Sequence, residues 1–505
     1  MMTSRWLRFL IAACGLYCSL SPVPAQGPVS VGIFDGSNDV GTVAHAGSAS
    51  YDTPVHAYTV RGSGENMWFA KDAFRFVWKK VSGDVTLSAD VAFPKQGGNA
   101  HRKAVLMIRQ SLDADSAYAD AALHGDGLTS LQARTEKGAS THEVQANVIA
   151  PHRLRIVRQG QQIYIFVADA GQPLRFAGGS IRLPLQEPFY IGIGVCSHEQ
   201  DAVETALFSK VELSSNAPPS SEQMLLYSTL QTVAVASTDA RAVYVTPGRI
   251  EAPVWTRDGT GLMFNADGRI QRIAAAGGQT QVLLTGSAVR CDSHHALSPD
   301  GQSLALEGDS EEPGKTAIYL APLSGEVDVT PRRIPQHLPA WGPAWSADGK
   351  SLAFTAERDA SVDIYAISAT GGEETRLTRG PGRNEAPEFS PDGEFVYFNS
   401  NRSGSTQVWR MKADGSAQEQ VTEDRYANLY PHVSPDGKQL VFLSYDKHLD
   451  APHDTQVLLR TMNLGDKRIA VLAAFTGGVG SIDAPSWSPD GKRVAFVSYQ
   501  RLPKP

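Results

Sequence analysis

The sequence predicts an all-β protein in two parts, a two-sheet sandwich followed by a six-bladed β-propeller. Three observations predict it. A strand–turn–strand unit recurs six times in the second half, at a spacing that suits one propeller blade. The first half shows alternating apolar runs with no helical period. Gly 46 and Pro 30 fall between short apolar runs throughout, which is the punctuation of tight turns. At 505 residues the chain is also too long for one ordinary core, so two or more domains are expected.

The first element is a targeting segment over residues 1–25. Arg5 and Arg8 supply its charge, Phe9 to Leu20 its apolar core of 12 residues, and Val23 and Ala25 the −3 and −1 positions of a cleavage site. That core is too short to span a bilayer, and no later run is long enough. A periplasmic or secreted protein with no membrane span after cleavage is expected. Cys14 and Cys18 leave with the leader. Cys196 and Cys291 remain, in different domains, and read as two buried small side chains rather than a disulfide. The net charge of −7, with no basic block, gives nucleic acid no electrostatic footprint.

The sandwich is expected over 26–215. Its strands are runs such as Phe74-Arg75-Phe76-Val77-Trp78, Ala104-Val105-Leu106-Met107-Ile108 and Ile163-Tyr164-Ile165-Phe166. His124, Asp126 and Gln132 surround a Gly-rich turn, while Arg102, Lys103, Arg109 and Arg134 alternate along strands. These are read as ordinary polar positions of a solvated sheet face, with glycan binding as the alternative. A Pro/Ser linker at 216–221 then separates the sandwich from a propeller at 222–505, and each part is expected to fold by itself.

The six repeats centre on Asp258, Asp300, Asp348, Asp392, Asp436 and Asp490, which lie 42, 48, 44, 44 and 54 residues apart. Four strands of about 5–6 residues and their turns fit that spacing. Around Asp436 the unit reads Val433-Ser434-Pro435-Asp436-Gly437. Pro presets φ at the first corner, Asp caps the turn, and Gly takes the left-handed position. The last copy stops after its second strand at Ser498-Tyr499, and the missing strands stand at the other end, Met224 to Val235 and Arg241 to Thr246. A ring closed by strand exchange is expected, since closure removes open edges. The turn acids are then architectural.

These repeats resemble the TolB-type, WD40-like propeller over about 222–500. Glu251-Ala252-Pro253-Val254-Trp255, Tyr430-Pro431-His432-Val433-Ser434-Pro435-Asp436-Gly437 and Ala484-Pro485-Ser486-Trp487-Ser488 resemble a bacterial exported group called Tol biopolymer-transport-like proteins. Ser82-Gly83-Asp84-Val85, Met107-Ile108-Arg109 and the run from Ala121 to Gln132 resemble a concanavalin-like jelly roll, which is the fold of many lectins. The TolB of the Tol–Pal system carries a small α/β domain ahead of its propeller, whereas a sandwich is expected here. The family resemblance therefore does not by itself supply a function.

Catalytic signatures are missing from the sequence. There is no G-x-S-x-G elbow, no second His to complete a zinc-protease motif, and no E-x-D-x-x-E strand. No cofactor and no metal are expected. The loops entering the innermost strands converge at one mouth of a propeller, so the residues just ahead of each turn motif are the candidates. They are Glu251, Arg290, Asp292, His294, His295, Trp341, Glu385, Tyr426, Asn428, His432 and Asp483. Acids, a cation, histidines and aromatics in one funnel suit a polar ligand. His432 has a plainer reading, as a histidine hydrogen-bonded between blades. The function expected is a non-enzymatic binding or scaffold protein for a glycan or an envelope protein. The alternative is a periplasmic polysaccharide lyase or hydrolase acting in the funnel.

Overall fold

The computed structural model describes residues 30–215, 224–283, 290–323, 330–449 and 454–503, without the side chains of Asp292 and Ser293. The leader and the linker expected at 1–25 and 216–221 lie outside the described residues. All regular elements among the described residues are β-strands, and no helix there is long and apolar enough to cross a membrane.

Two sheets stack in the front half. One runs in the order Gly36–Val40, Phe74–Val81, Phe189–Cys196, Lys103–Arg109, Tyr118–His124, Thr129–Arg134 and His142–Gln145. The other runs Arg175–Arg182, Gln162–Ala168, Arg153–Gln159, Val85–Ala92, Glu199–Ser215, Ala57–Gly64 and Ser48–Asp52. The period of two turns Ala104, Leu106, Ile108, Ala119, Ala121 and Leu131 inward, where they meet Leu87, Leu154, Ile156 and Ile165 of the facing sheet. Each large aliphatic buried there contributes roughly 1.5–3 kcal/mol.

The outer face of the first sheet corrects the expectation of a solvated surface. Lys103, Arg109, His124, Gln132 and Arg134 are all buried there, and Arg102 is buried against Glu204 at 2.9 Å. The cover is the chain from Asn66 to Asp72. Arg134 donates to Asp72 at 2.7 Å and to the carbonyls of Trp68 and Phe69, and Arg109 lies 3.3 Å from the same carboxylate. Buried charges persist only when paired and hydrogen-bonded, and here the pairing straps the covering chain to the sheet.

The second half holds five four-stranded antiparallel blades, not the six expected. They begin with the strands Ile250–Trp255, Cys291–Leu297, Ala340–Trp345, Asn384–Phe389 and Tyr426–Val433, which pack on one another around the axis. The last repeat does not form a separate four-stranded sheet. Its strand Arg493–Pro503 pairs along its whole length with Met224–Ala234, which pairs with Ala240–Pro247. The stretch ahead of its turn makes one bridge, Trp487 to Val494, because Ser481 and Asp483 are engaged in tight turns with Gly478 and Gly480. The far edge of the triplet is taken by the front half. Val144 and Gln145 pair in parallel with Ala240 and Arg241, which yields one ten-stranded sheet.

Side chains reinforce that junction. Tyr164, Phe176, Val157 and Leu502 form an apolar cluster with Phe166, Tyr227 and Val245, and Ser180 donates to Gln500 at 2.6 Å. The two halves therefore meet through a ladder, a hydrogen bond and a packed cluster. Cys196 and Cys291 are buried and are not joined by a disulfide.

Candidate functional site

All six turn motifs adopt one geometry. The Ser or Thr hydroxyl donates to the Asp two residues on at 2.5–2.7 Å, and the closing Gly has φ between 68° and 75°. The same Asp oxygen accepts a backbone N–H, from Glu394 at Asp392 and from Lys438 at Asp436. These bonds hold the acids ionised, Asp258 at about 2. They are occupied in shaping turns.

Upstream of the turn in each of the five blades the innermost strand carries a bulge. The register slips between Glu251 and Val254, Cys291 and His295, Trp341 and Ala344, Glu385 and Glu388, and Leu429 and His432. Ala252, Gly342, Ala386 and Tyr430 sit at its apex with φ of 53°, 59°, 53° and 52°. The apex N–H reaches the neighbouring blade: Gly342 to Glu307, Ala386 to Thr355, Tyr430 to Asn399 and Ala252 to the Gly480 carbonyl. A Pro after the apex suits the bulge, having no N–H to leave unpaired. The bulge thus clasps blade to blade and fixes the side chain just before it.

That preceding position holds Glu251, Trp341 and Glu385, all half-buried, and Asp483 takes the matching place ahead of the last turn. The side chain of Asp292 lies outside the described residues. Arg290 is exposed and shares a groove with Glu251, Arg249, Asp267 and Asp309. Glu251 lies against Gly480, whose N–H donates to Asp483 at 2.8 Å.

The remaining candidates lie elsewhere. Asn428 is fully buried, donating to Gln407 of the preceding blade and accepting from Ser444 and Arg460 of its own, so it ties the two blades together. Tyr426 lies under the guanidinium groups of Arg425 and Arg460. His295 is buried within the ring. His432 bonds between blades: Nδ1 faces Glu388 and Nε2 faces the Ile482 carbonyl at 2.5 Å. Both ring nitrogens meet acceptors, so the ring is an imidazolium. Burial alone would lower its pKa, but Glu388 and that carbonyl carry it above the ordinary value.

Three residues were not among the sequence candidates. Tyr430 puts a large side chain where three other bulges have Ala or Gly, with its ring 5.9 Å from that of His294. Burial and then the charges of Asp483, Glu385 and Glu307 push its phenol well above the usual range. Glu307 stands 3.9 Å from His294, and Glu388 holds His432. His294 is held neutral, at about 3, by burial and then by His432 and His295. One signal was legible in the sequence, an aromatic residue ahead of Pro431 where the repeat otherwise places a small one. Among the described residues no group of three His, Cys, Asp or Glu could hold a metal ion.

The turn end of the axis differs. Trp255, Leu297, Trp345, Phe389, Val433 and Trp487, one from each repeat, ring it with prolines of the turns.

Comparison with known proteins agrees with this architecture. Residues 336–473 match the TolB beta propeller domain family. An uncharacterized protein of Agrobacterium fabrum, Atu1656, is 40% identical over 261 residues, covering 51% of this chain and 88% of that protein. A solved structure provisionally named TolB, from Agrobacterium tumefaciens, is 39% identical with a TM-score of 0.52, covering 55% of this chain and 99% of that one. TolB from Acinetobacter baumannii is 23% identical with a TM-score of 0.36, covering 50% of this chain and 64% of that one. With its repeated turns, its blades and a relative of this similarity matched almost throughout, the chain belongs to the TolB-like β-propeller family.

Proposed function

We propose that this chain is an exported binding or scaffold protein that presents the polar mouth of its propeller, together with its front half, to a glycan or envelope-protein ligand. One observation carries the reading. The same bulge step in three blades carries Glu251, Trp341 and Glu385, half-buried on a clasped backbone, and we read that step as lining one end of the axis together with Tyr430 and Asp483. Carboxylates accept hydroxyl or amide donors, and an aromatic face stacks on a sugar ring or an apolar side chain. Catalysis in the mouth finds less support. His294, at about 3, is too weak a base for proton abstraction near neutral pH, and both nitrogens of His432 are engaged.

The architecture fits this role. The strands Arg493–Pro503, Met224–Ala234 and Ala240–Pro247 join the five-bladed ring to the front half, whose His142–Gln145 takes their outer edge. The front half is read as a concanavalin-like jelly roll over 26–215, with the linker at 216–221 and the propeller at 222–505. A leader cleaved after Ala25 would deliver the protein to the periplasm or beyond.

A glycan-array screen of the full chain tests the reading, followed by titration of each hit. Trp341→Ala should weaken a hit by about 1–3 kcal/mol, the usual loss for a stacking anchor. Hits unaffected by Trp341→Ala and Glu385→Gln would place binding away from the mouth.

A further inference from the structure

The five blades end in outer strands of very different length. Four of these strands are two residues long, Gln281–Val282, Arg332–Arg333, Thr375–Arg376 and Glu419–Gln420, and three of the four carry a charge. The fifth, Ile469–Gly477, runs for 9 residues. Its sequence, Ile469-Ala470-Val471-Leu472-Ala473-Ala474-Phe475-Thr476-Gly477, holds no charged residue and no proline. Native sheets keep their edges from pairing with other chains by making them short, charged or proline-bearing, and this edge has none of those guards.

One side of the strand is taken. It pairs with Thr455–Asn463, from Met462 opposite Ile469 to Thr455 opposite Gly477. The register slips at Leu472, and Leu472 and Phe475 are buried in the cluster that also holds Val233 and Phe496. The other side is open. The strand stands last in the order of its sheet, and among the described residues no strand pairs with its outer edge. Ile469 is 39% exposed and Val471 50%, and Ala470 and Ala474 are exposed with them. The charges of Asp466, Lys467 and Arg468 stop just short of the strand.

We propose that this edge pairs antiparallel with the same edge of a second copy of the chain, joining two fifth blades into one eight-stranded sheet. An open edge presents a row of N–H and C=O groups that another extended backbone matches in full, which selects a polypeptide. The strand's own composition selects a copy of itself. Its exposed bulky residues, Ile469 and Val471, precede the bulge, and its alanines, Ala473 and Ala474, follow it. Antiparallel pairing about Leu472 lays the bulky stretch of each copy along the small stretch of the other, so that large meets small twice. The strand brings no charge to oppose the approach. Such a contact is isologous and closes at two copies.

The pairing is independent of any ligand at the propeller mouth. Sedimentation equilibrium of the full chain between roughly 1 and 300 µM tests it, a range in which a modest interface forms and parts. A monomer–dimer equilibrium is expected. Ile469→Lys and Val471→Lys should each weaken it tenfold or more, because both copies then bring a lysine to the shared edge. Both variants should melt with the parent, since the replaced side chains are exposed. Val282→Lys, at a valine of similar exposure on the first blade's outer strand, should dimerise as the parent does. Val471→Lys mixed with Val471→Glu should dimerise again, because only self-pairing brings the two opposite charges together. The proposal is overturned if the chain is monomeric throughout, which would leave the edge to another protein's strand. It is equally overturned if both lysine variants dimerise as the parent does, or if the mixture stays monomeric. Loss of the dimer in Trp341→Ala would place the contact at the propeller mouth instead.

Discussion

The two ends of the propeller axis are built by the same strands and have opposite chemistry. At the turn end, the residue before each Ser or Thr is Trp255, Leu297, Trp345, Phe389, Val433 or Trp487, apolar in every copy. Five or six residues upstream, at the step before the bulge, the copies read Glu251, Asp292, Trp341, Glu385, Leu429 and Asp483. One backbone position tolerates only packing residues, and the other accepts acids, an aromatic and an aliphatic. Uniformity therefore marks what the ring needs to close. Variety marks the end released from that duty, and this is why the binding function is assigned there.

Breaking the uniform end should have the largest effect. Trp487 is buried and donates its indole N–H to the His432 carbonyl at 2.9 Å. Trp487→Ala should cost about 3–5 kcal/mol in urea denaturation, as other buried Trp truncations do. A loss under 1 kcal/mol would show that the end does not close the ring.

Between the two ends lies the buried pair of His432 and Glu388, faced also by Asp483 and His294. The folded pKa of His432 is raised above 6.5, so its contribution is complete below that pH and is lost as pH rises through the folded value. Melting temperatures between pH 5 and 9 should therefore fall on the alkaline side in the parent protein, and fall less in His432→Gln. Identical pH profiles would remove the imidazolium from the account.

A single turn should matter less than a single tryptophan. Ser390 donates to Asp392 and accepts the N–H of Phe395 at 2.9 Å. Ser390→Ala should cost about 0.5–1.5 kcal/mol by thermal melting. A larger loss would mean that the turns carry more of the ring than the tryptophans beside them.

The same contrast explains how much was legible in the sequence. Turn chemistry is local, so Ser-Pro-Asp-Gly announced itself six times, and the pairing of Met224–Ala234 with Arg493–Pro503 followed from counting strands. The merged ten-stranded sheet could not be counted, because it depends on Val144 meeting Ala240 across nearly a hundred residues. Asn428 and Glu385 look alike as polar loop residues, yet one is buried in a network with Gln407 and Arg460 and the other is half-exposed. Alternation showed which residues of the front sheet share a face. It could not show that Asn66 to Asp72 folds back over that face and buries it.

The central claim is that the varied end of the axis binds a ligand while the uniform end holds the ring. Titration of one array-identified ligand against Trp341→Ala and Trp487→Ala, beside their melting curves, tests it most directly. Trp341 is half-buried and off the packed turn end, so Trp341→Ala should melt much nearer the parent than Trp487→Ala does and bind roughly ten- to hundredfold more weakly. Trp487→Ala should melt well below the parent and, at temperatures where it is folded, bind as the parent does. Unchanged affinity in Trp341→Ala, or affinity lost only in Trp487→Ala, would contradict the assignment of the two ends.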